Sequence, residues 1–163
     1  MKLDDCINLD DLRKVAKQRV PKLIYDFIEG GSEDESGLVR NEDAFRNRAL
    51  VPRYMVDISS INQDTELFGR TYSSAYGIAP TGGISNYRHK GDLMLARAAR
   101  DANIPFIMSG AATARMEDMA REAPDHGWYQ LYTAKDRAIA DDQVKRAADL
   151  GIQTLVITVD VPA

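Results

Sequence analysis

Four apolar runs in this chain each finish in polar residues, and those endings carry its candidate chemistry. The first, Tyr76-Gly77-Ile78-Ala79-Pro80-Thr81-Gly82-Gly83, closes on a proline, a hydroxyl and two glycines. A turn so poor in side chains lets backbone amides approach a flat or anionic ligand, because glycine has no Cβ to hold it off. The second run ends at Ser109-Gly110. The third, Trp128 to Tyr132, sets Gln130 inside an apolar strand, where an amide is costly unless its donors and acceptor are used. A planar ring bearing an imide would use both. Tyr132 shares a face with Gln130 under the two-residue strand period, so a phenol and an amide project to the same side. The fourth run, Thr154 to Asp160, puts Thr158 and Asp160 on one face, and a carboxylate buried at a strand end orients a cation or a base. Plainer readings stand beside these. Pro80, Thr81 and Gly82 also make an ordinary strand-end turn, as does Ser109-Gly110, and Asp160 also suits a helix cap or a structural ion pair.

The elements that must position these residues follow from the repeat. The four runs recur about every 26 residues, with helical pattern between them, which is the length of one strand and one helix. Successive right-handed βα units around a parallel sheet produce that period, and α/β proteins place their chemistry at the carboxyl ends of such strands. A closed doubly wound domain is the alternative. No G-x-G-x-x-G follows any of the runs, and Gly82-Gly83 has the wrong spacing for a dinucleotide fingerprint. The pattern favours α/β architecture of the TIM-type (β/α)8 kind, with the leading helices and about the first four βα units in this chain.

Ahead of the repeat, Asn8 is placed to cap a helix through Leu12, Val15 and Ala16, with Asp10 and Asp11 in its first turn. Pro21 opens a second helix whose apolar stripe is Ile24, Phe27 and Ile28 and whose stop is Gly30-Gly31. Tyr25 lies outside the need of that stripe, so its hydroxyl is a candidate for a site, although an aromatic there also packs. Ser32-Glu33-Asp34-Glu35 reads as a capping box for a third helix toward Phe45. Val51 to Ser60 has no periodicity, and a hairpin is expected around Gly69-Arg70. Helices are expected at 92–102, 116–122 and 136–150, with Leu93, Ala96 and Ala99 toward the sheet. The organisation is thus leading helices over 1–50, a connector and hairpin over 51–75, and strands one to four with their helices over 76–163. A further helix is expected after the fourth strand, where Val161-Pro162-Ala163 closes the chain, so open sheet edges are expected too.

At 163 residues, 44% hydrophobic, the chain is long enough to bury a core. Its net charge of -4, without a Lys/Arg stripe, gives no electrostatic reason to expect nucleic acid. One cysteine, Cys6, excludes an internal disulfide and a multi-cysteine metal site, and no metal is expected. His89 and His126, the two histidines, fall in loop-like sequence without a metal-ligand or catalytic partner at a recognisable spacing, and are expected at the surface. No apolar run reaches the ~20 residues of a membrane-spanning helix, and the acidic N-terminus is unlike a signal peptide. A reducing, cytoplasmic compartment is expected, with attachment at the cytoplasmic face of the membrane left open.

Taken together, PKLIYDFIEGGSEDE, IAPTGG, IPFIMSG, WYQLY and LVITVDVPA, in this order and spacing, resemble the FMN-dependent 2-hydroxy acid dehydrogenases and oxidases, the family of glycolate oxidase and the lactate and mandelate dehydrogenases. The likeness covers essentially the whole chain. It implies FMN at the carboxyl ends of the barrel strands, beside Pro80, Thr81 and Gly82, with Ser109, Gln130 and Thr158 hydrogen-bonding the ring system. It implies that Tyr25 holds the carboxylate of a small 2-hydroxy acid, that Tyr132 contacts the substrate oxygen, and that Asp160 orients a catalytic histidine. Glycine at position 82 is commoner among the family's dehydrogenases, where many oxidases carry alanine. In the family a histidine takes the hydroxyl proton as the α-hydrogen passes to the flavin, arginines clamp the carboxylate and a lysine stabilises the reduced ring. Those residues belong to the second half of the barrel, so the fragment alone is expected to be inactive. The resemblance leaves the electron acceptor open among quinone, cytochrome and oxygen, and implies a homo-oligomer for the complete protein. Two other readings stand: a non-catalytic, self-associating half-barrel with at most weak flavin binding, and a different phosphate- or flavin-binding barrel.

Overall fold

The computed structural model describes residues 2–160, so the last three residues of the LVITVDVPA run lie outside the described residues. The chain divides into two compact units, Met1–Ser60 and Ile61–Ala163.

The first unit holds three helices, α1 (Leu9–Arg19), α2 (Lys22–Glu29) and α3 (Ser36–Arg46). Asn8 caps α1 as expected, its side-chain oxygen accepting the Asp11 amide at 2.9 Å, and Lys17 and Arg19 suit the opposite end of the helix dipole. Pro21 stands immediately before α2. Phe27 and Ile28 are exposed, so the stripe expected on that helix is not a buried one. The capping box expected at Ser32 is also displaced. Glu35 precedes α3 in a left-handed conformation, φ 60°, its carboxylate accepts the Gly31 amide at 3.3 Å, and Asp34 accepts the Ser36 amide at 3.2 Å. Ser32 instead takes part through its backbone, its carbonyl accepting the Glu35 amide at 3.0 Å in a turn.

The second unit begins with a hairpin, β1 (Thr65–Leu67) and β2 (Arg70–Tyr72), paired antiparallel. Its turn is Phe68-Gly69, with φ of 50° and 79°, one residue before the expected position. Two positive φ values suit the type I′ turn that matches strand twist. The sheet behind it is parallel, in the order β3 (Phe106–Met108), β4 (Gly127–Tyr132) and β5 (Leu155–Thr158). Helices α4 (Gly91–Asp101), α5 (Met116–Glu122) and α6 (Arg137–Asp149) alternate with these strands, as the repeat predicts.

The run from Tyr76 to Ala79 joins β3 through a single parallel bridge, Ile78 to Phe106, rather than a ladder. Ile78 donates to the Pro105 carbonyl at 2.9 Å and accepts from Ile107 at 3.0 Å. The next bonds on either side would need amide donors from Pro105 and Pro80, and proline has none. One bridge is therefore all this pairing can make.

Alternation along the strands separates two faces. Phe106, Met108, Tyr129 and Leu131 turn outward into a core with Ala96 and Ala99 of α4, Met116 and Met119 of α5, and Ala147 of α6. Trp128, Gln130 and Tyr132 occupy the opposite, inner face, and the register pairs Gln130 with Val156 and Tyr132 with Thr158. No helix among the described residues is long and apolar enough to cross a membrane.

Candidate functional site

Gln130 is the centre of the polar inner face. It is 1% exposed, so both ends of its amide must be satisfied within the fold. Its Oε1 accepts the Gly110 amide at 2.9 Å and the Ser109 hydroxyl at 3.2 Å, both just beyond β3. Its Nε2 donates to Thr158 Oγ1 on β5 at 2.7 Å. The Ala111 amide in turn donates to Ser109 Oγ at 3.1 Å. One side chain on the central strand thereby ties the carboxyl ends of three strands together. Among the described residues Nε2 makes only that one bond, so its second N–H is uncommitted.

Gly82 belongs to the same cluster. A Cβ built there would lie 3.2 Å from Ala111 Cβ and 3.8 Å from Ser109 Oγ, and the adjacent Gly83 amide donates to the Ala111 carbonyl at 3.2 Å. The turn after the first strand and the turn after β3 are in backbone contact, which leaves Pro80 and Thr81 exposed beside them. Tyr132 stands on the same face as Gln130, partly exposed, with its ring over Gly110; a Cβ at Gly110 would meet that ring at 3.1 Å and the Gln130 carbonyl at 2.8 Å.

Ser109, Gln130, Thr158, Gly82 and Tyr132 are thus brought together, as their strand-end positions predict. Asp160 is not the buried carboxylate expected: β5 ends at Thr158, and Asp160 is exposed two residues further on. Tyr25 lies in the first unit on α2, half-buried near an ion pair between Arg13 and Glu29. Burial first, and then the Glu29 carboxylate, push its phenol above the ordinary tyrosine value, so it stays a neutral hydroxyl.

Both histidines were expected at the surface, and His89 is exposed. His126 is instead 8% exposed. Its Nδ1 lies 2.9 Å from the Pro124 carbonyl, which can only accept, so Nδ1 carries a proton. Its Nε2 lies 3.0 Å from Arg70 Nη2 and 3.2 Å from Asn103 Oδ1. These contacts seat the β1–β2 hairpin at the amino ends of the strands, with Trp128 Nε1 donating to the buried Tyr72 hydroxyl at 3.1 Å. His126 sits at the end of the strands opposite Gln130. Its neighbours Pro124 and Gly127 gave it the look of a loop, and burial there comes from Arg70 of a hairpin, 56 residues away, that local sequence does not reveal.

Two contributors escape sequence reasoning. The Gly110 amide is a backbone donor, invisible to side-chain type. Asp92 resembles an ordinary first-turn acid of a helix, yet it is 1% exposed and accepts from Thr113 Oγ1 at 2.8 Å. Tyr129, on the outer face, has its phenol pushed up by burial and serves the core.

The comparisons agree with this architecture. The family model described as FMN-dependent dehydrogenase matches residues 16–163. The chain is 42% identical over 154 residues to (S)-mandelate dehydrogenase of Pseudomonas putida, covering 94% of this chain and 39% of that protein. It is 37% identical over 162 residues to a 2-hydroxyacid oxidase of Dictyostelium discoideum, covering 99% of this chain and 42% of that one. A crystal structure of a soluble mutant of the membrane-associated Pseudomonas putida (S)-mandelate dehydrogenase superposes with a TM-score of 0.89 at 42% identity, over 98% of this chain and 45% of that one. A mandelate oxidase structure matches at TM-score 0.89 and 34% identity, over 97% and 47%. The chain spans less than half the length of these relatives and carries part of a TIM-type barrel. A match of this extent across both units makes the chain a member of the FMN-dependent dehydrogenase family.

Proposed function

We propose that this chain supplies the first-half contacts of an FMN-dependent 2-hydroxy acid dehydrogenase. Residues 1–163 then form the amino-terminal portion of one barrel domain, divided into the leading helices (1–50), the connector and hairpin (51–75) and the first four strands with their helices (76–163). The observation that carries this reading is Gln130, buried and bonded to Ser109, Gly110 and Thr158 across three strand ends. This donor set fits FMN. The uncommitted Nε2 proton of Gln130 and the hydroxyls of Ser109 and Thr158 offer donors and acceptors to an imide-bearing ring, and the Pro80-Thr81-Gly82 turn offers a side-chain-poor surface for its flat face.

In this reading Pro80, Thr81, Gly82, Ser109, Gln130 and Thr158 hold the cofactor, which when bound accepts the hydrogen from the substrate α-carbon. Tyr132 presents its hydroxyl to the substrate oxygen beside that site. Tyr25, kept neutral, donates to the substrate carboxylate. Asp160 orients a histidine base supplied by the remainder of the barrel, and that histidine takes the hydroxyl proton. The substrate is a small 2-hydroxy acid of the lactate, mandelate or glycolate kind, and the product is the 2-oxo acid. Glycine at position 82 favours a dehydrogenase over an oxidase. The electron acceptor is a quinone, a cytochrome or oxygen, and the complete protein is a homo-oligomer. The protein is cytoplasmic and held peripherally at the membrane, and likeness to a relative described as membrane-associated supports the second part of that reading.

A histidine base of that kind is worth about 10²- to 10⁴-fold in rate. The test is an FMN titration of the purified chain, followed by flavin absorbance and fluorescence with native mass recorded alongside. Saturable binding with a perturbed spectrum, lost in Gln130→Leu, supports the reading. Absence of binding by a folded chain overturns it. One observation favours a second reading, a self-associating half-barrel without catalysis: Leu155, Ile157 and Val159 are exposed along β5 and its extension. An inert oligomer in the same native mass measurement supports that alternative.

A further inference from the structure

The loops around the proposed flavin site are braced from outside it by a carboxylate that the proposed chemistry does not use. Asp92 lies in the first turn of α4, where the helix dipole favours a negative charge. An acid placed there for the dipole alone would stay in solvent. Asp92 is instead 1% exposed, and its Oδ2 accepts from a hydroxyl of another loop, Thr113 Oγ1, at 2.8 Å. A desolvated carboxylate is costly, so this contact is a committed one.

Thr113 has a single hydroxyl proton. Donating it to Asp92 fixes the hydroxyl rotor and leaves the oxygen as an acceptor, and the Ser85 amide donates to it at 3.3 Å. Ser85 sits in the turn that follows Gly82-Gly83, while Thr113 follows the Ser109-Gly110-Ala111 turn. The Gly83 amide bonds the Ala111 carbonyl at 3.2 Å, the Ala111 amide bonds Ser109 Oγ, and Ser109 bonds Gln130. Two sets of hydrogen bonds, joined by the short backbone stretch from Gly83 to Ser85, therefore link Asp92 to the residue at the centre of the site.

We propose that Asp92 is a positioning residue for the flavin site, acting through Thr113 and Ser85 to hold the Gly82–Ser85 turn against the Ser109–Ala111 turn. The flavin half of this inference rests on the function proposed above; the bracing half rests on the contacts alone. Without the carboxylate, the Thr113 hydroxyl is free to rotate, the Ser85 amide loses its aligned acceptor, and the two turns that frame the ring are tied only through Gly83 and Ala111.

Three variants of the full chain test this: Asp92→Ala, Asp92→Asn and Thr113→Val. Thr113 is exposed, so Thr113→Val opens no cavity, and Asp92→Asn keeps the buried position filled where Asp92→Ala does not. The first readout is amide hydrogen exchange at Gly83 and Ser85 without flavin, and the second is the Kd for FMN. Asp92→Ala and Thr113→Val are each expected to speed exchange at both amides and to weaken FMN binding about tenfold, with no further loss when combined. Asp92→Asn keeps an acceptor for Thr113 and is expected to restore most of both. A lowered thermal midpoint with unchanged exchange and unchanged Kd in the folded protein would reduce Asp92 to a structural residue and overturn the proposal. A wild-type chain that fails to bind FMN, while its Gly83 and Ser85 amides remain protected through Asp92, overturns the proposed function and the flavin half of this inference. Wild-type binding with indifferent variants overturns this inference alone.

Discussion

Thr158 Oγ1 accepts a 2.7 Å hydrogen bond from Gln130 Nε2, so the last residue of β5 is held by the central strand through side chains as well as through the ladder. The register places Gln130 opposite Val156 and Tyr132 opposite Thr158, and the glutamine reaches forward along its neighbour to the strand's end. The other end of the same amide holds the turn after β3. Gln130 is consequently both a structural clasp and the centre of the proposed ligand site, and its substitution affects the two roles separately.

Gln130→Leu keeps the volume and removes the bonds. The Gly110 amide and Ser109 hydroxyl lose their acceptor, which costs about 1–3 kcal/mol in stability. Gln130→Glu retains an acceptor for those two donors but loses the donor to Thr158, so a smaller stability loss is expected together with loss of FMN affinity. Urea denaturation separates the two variants in stability, and an FMN titration of each reads the site.

Glycines 82 and 110 give a second contrast. At Gly82 an added methyl meets Ala111 Cβ at 3.2 Å, a side chain on an exposed turn that can shift by tenths of an ångström. At Gly110 it meets the Gln130 carbonyl at 2.8 Å, which the central strand holds fixed. Gly82→Ala is expected to fold with a cost below about 1 kcal/mol, whereas Gly110→Ala costs about 1–3 kcal/mol through overpacking. Thermal denaturation of the two variants side by side checks the order.

The strand-end residues were legible because a parallel strand announces itself as an apolar run, and the interruption of one by Gln130 is a local anomaly. What local sequence could not show is long-range. Pro105 and Pro80 limit the first pairing to one bridge only because Ile78 is paired with Phe106, and that register is a tertiary fact. His126 became buried because β2 brings Arg70 to it, and Asp92 because a loop 21 residues downstream lends it Thr113. The capping box at Ser32 failed for the opposite reason. The Glu35 amide that Ser32 would have capped bonds the Ser32 carbonyl at 3.0 Å instead, and the Glu35 carboxylate takes the Gly31 amide.

The His126 ring ties the hairpin to the strands: Nδ1 lies 2.9 Å from the Pro124 carbonyl, and Nε2 lies 3.0 Å from Arg70 Nη2, which can only donate, and 3.2 Å from Asn103 Oδ1. His126→Phe removes the acceptor and leaves Arg70, whose Nε already lacks a hydrogen-bond partner among the described residues, less satisfied still. A loss of about 1–3 kcal/mol is expected. Trp128 bonds Tyr72 of the hairpin and packs edge-on at 5.2 Å to Phe68, so its fluorescence reports the loosening directly. An unchanged emission spectrum and denaturation midpoint would contradict the assignment.

Glu117 carries an acid-sensitive share of the stability. Arg146 on α6 donates to its Oε1 at 2.7 Å, joining α5 to α6, and this bond, followed by the Glu117 backbone amide, holds the carboxyl below its ordinary value of 4.5. The folded pKa is depressed, so the contribution is fully present above the unfolded value and is lost as pH falls through the folded one. The window therefore opens near pH 4.5 and extends downward. Glu117→Gln removes the charge, so the wild type is expected to be the more stable at pH 7 and the difference to shrink as acid is added below that point. Parallel urea titrations at pH 7, 5 and 3 measure it, and a difference that stays constant across the series would show that the Arg146 pair contributes nothing through ionisation.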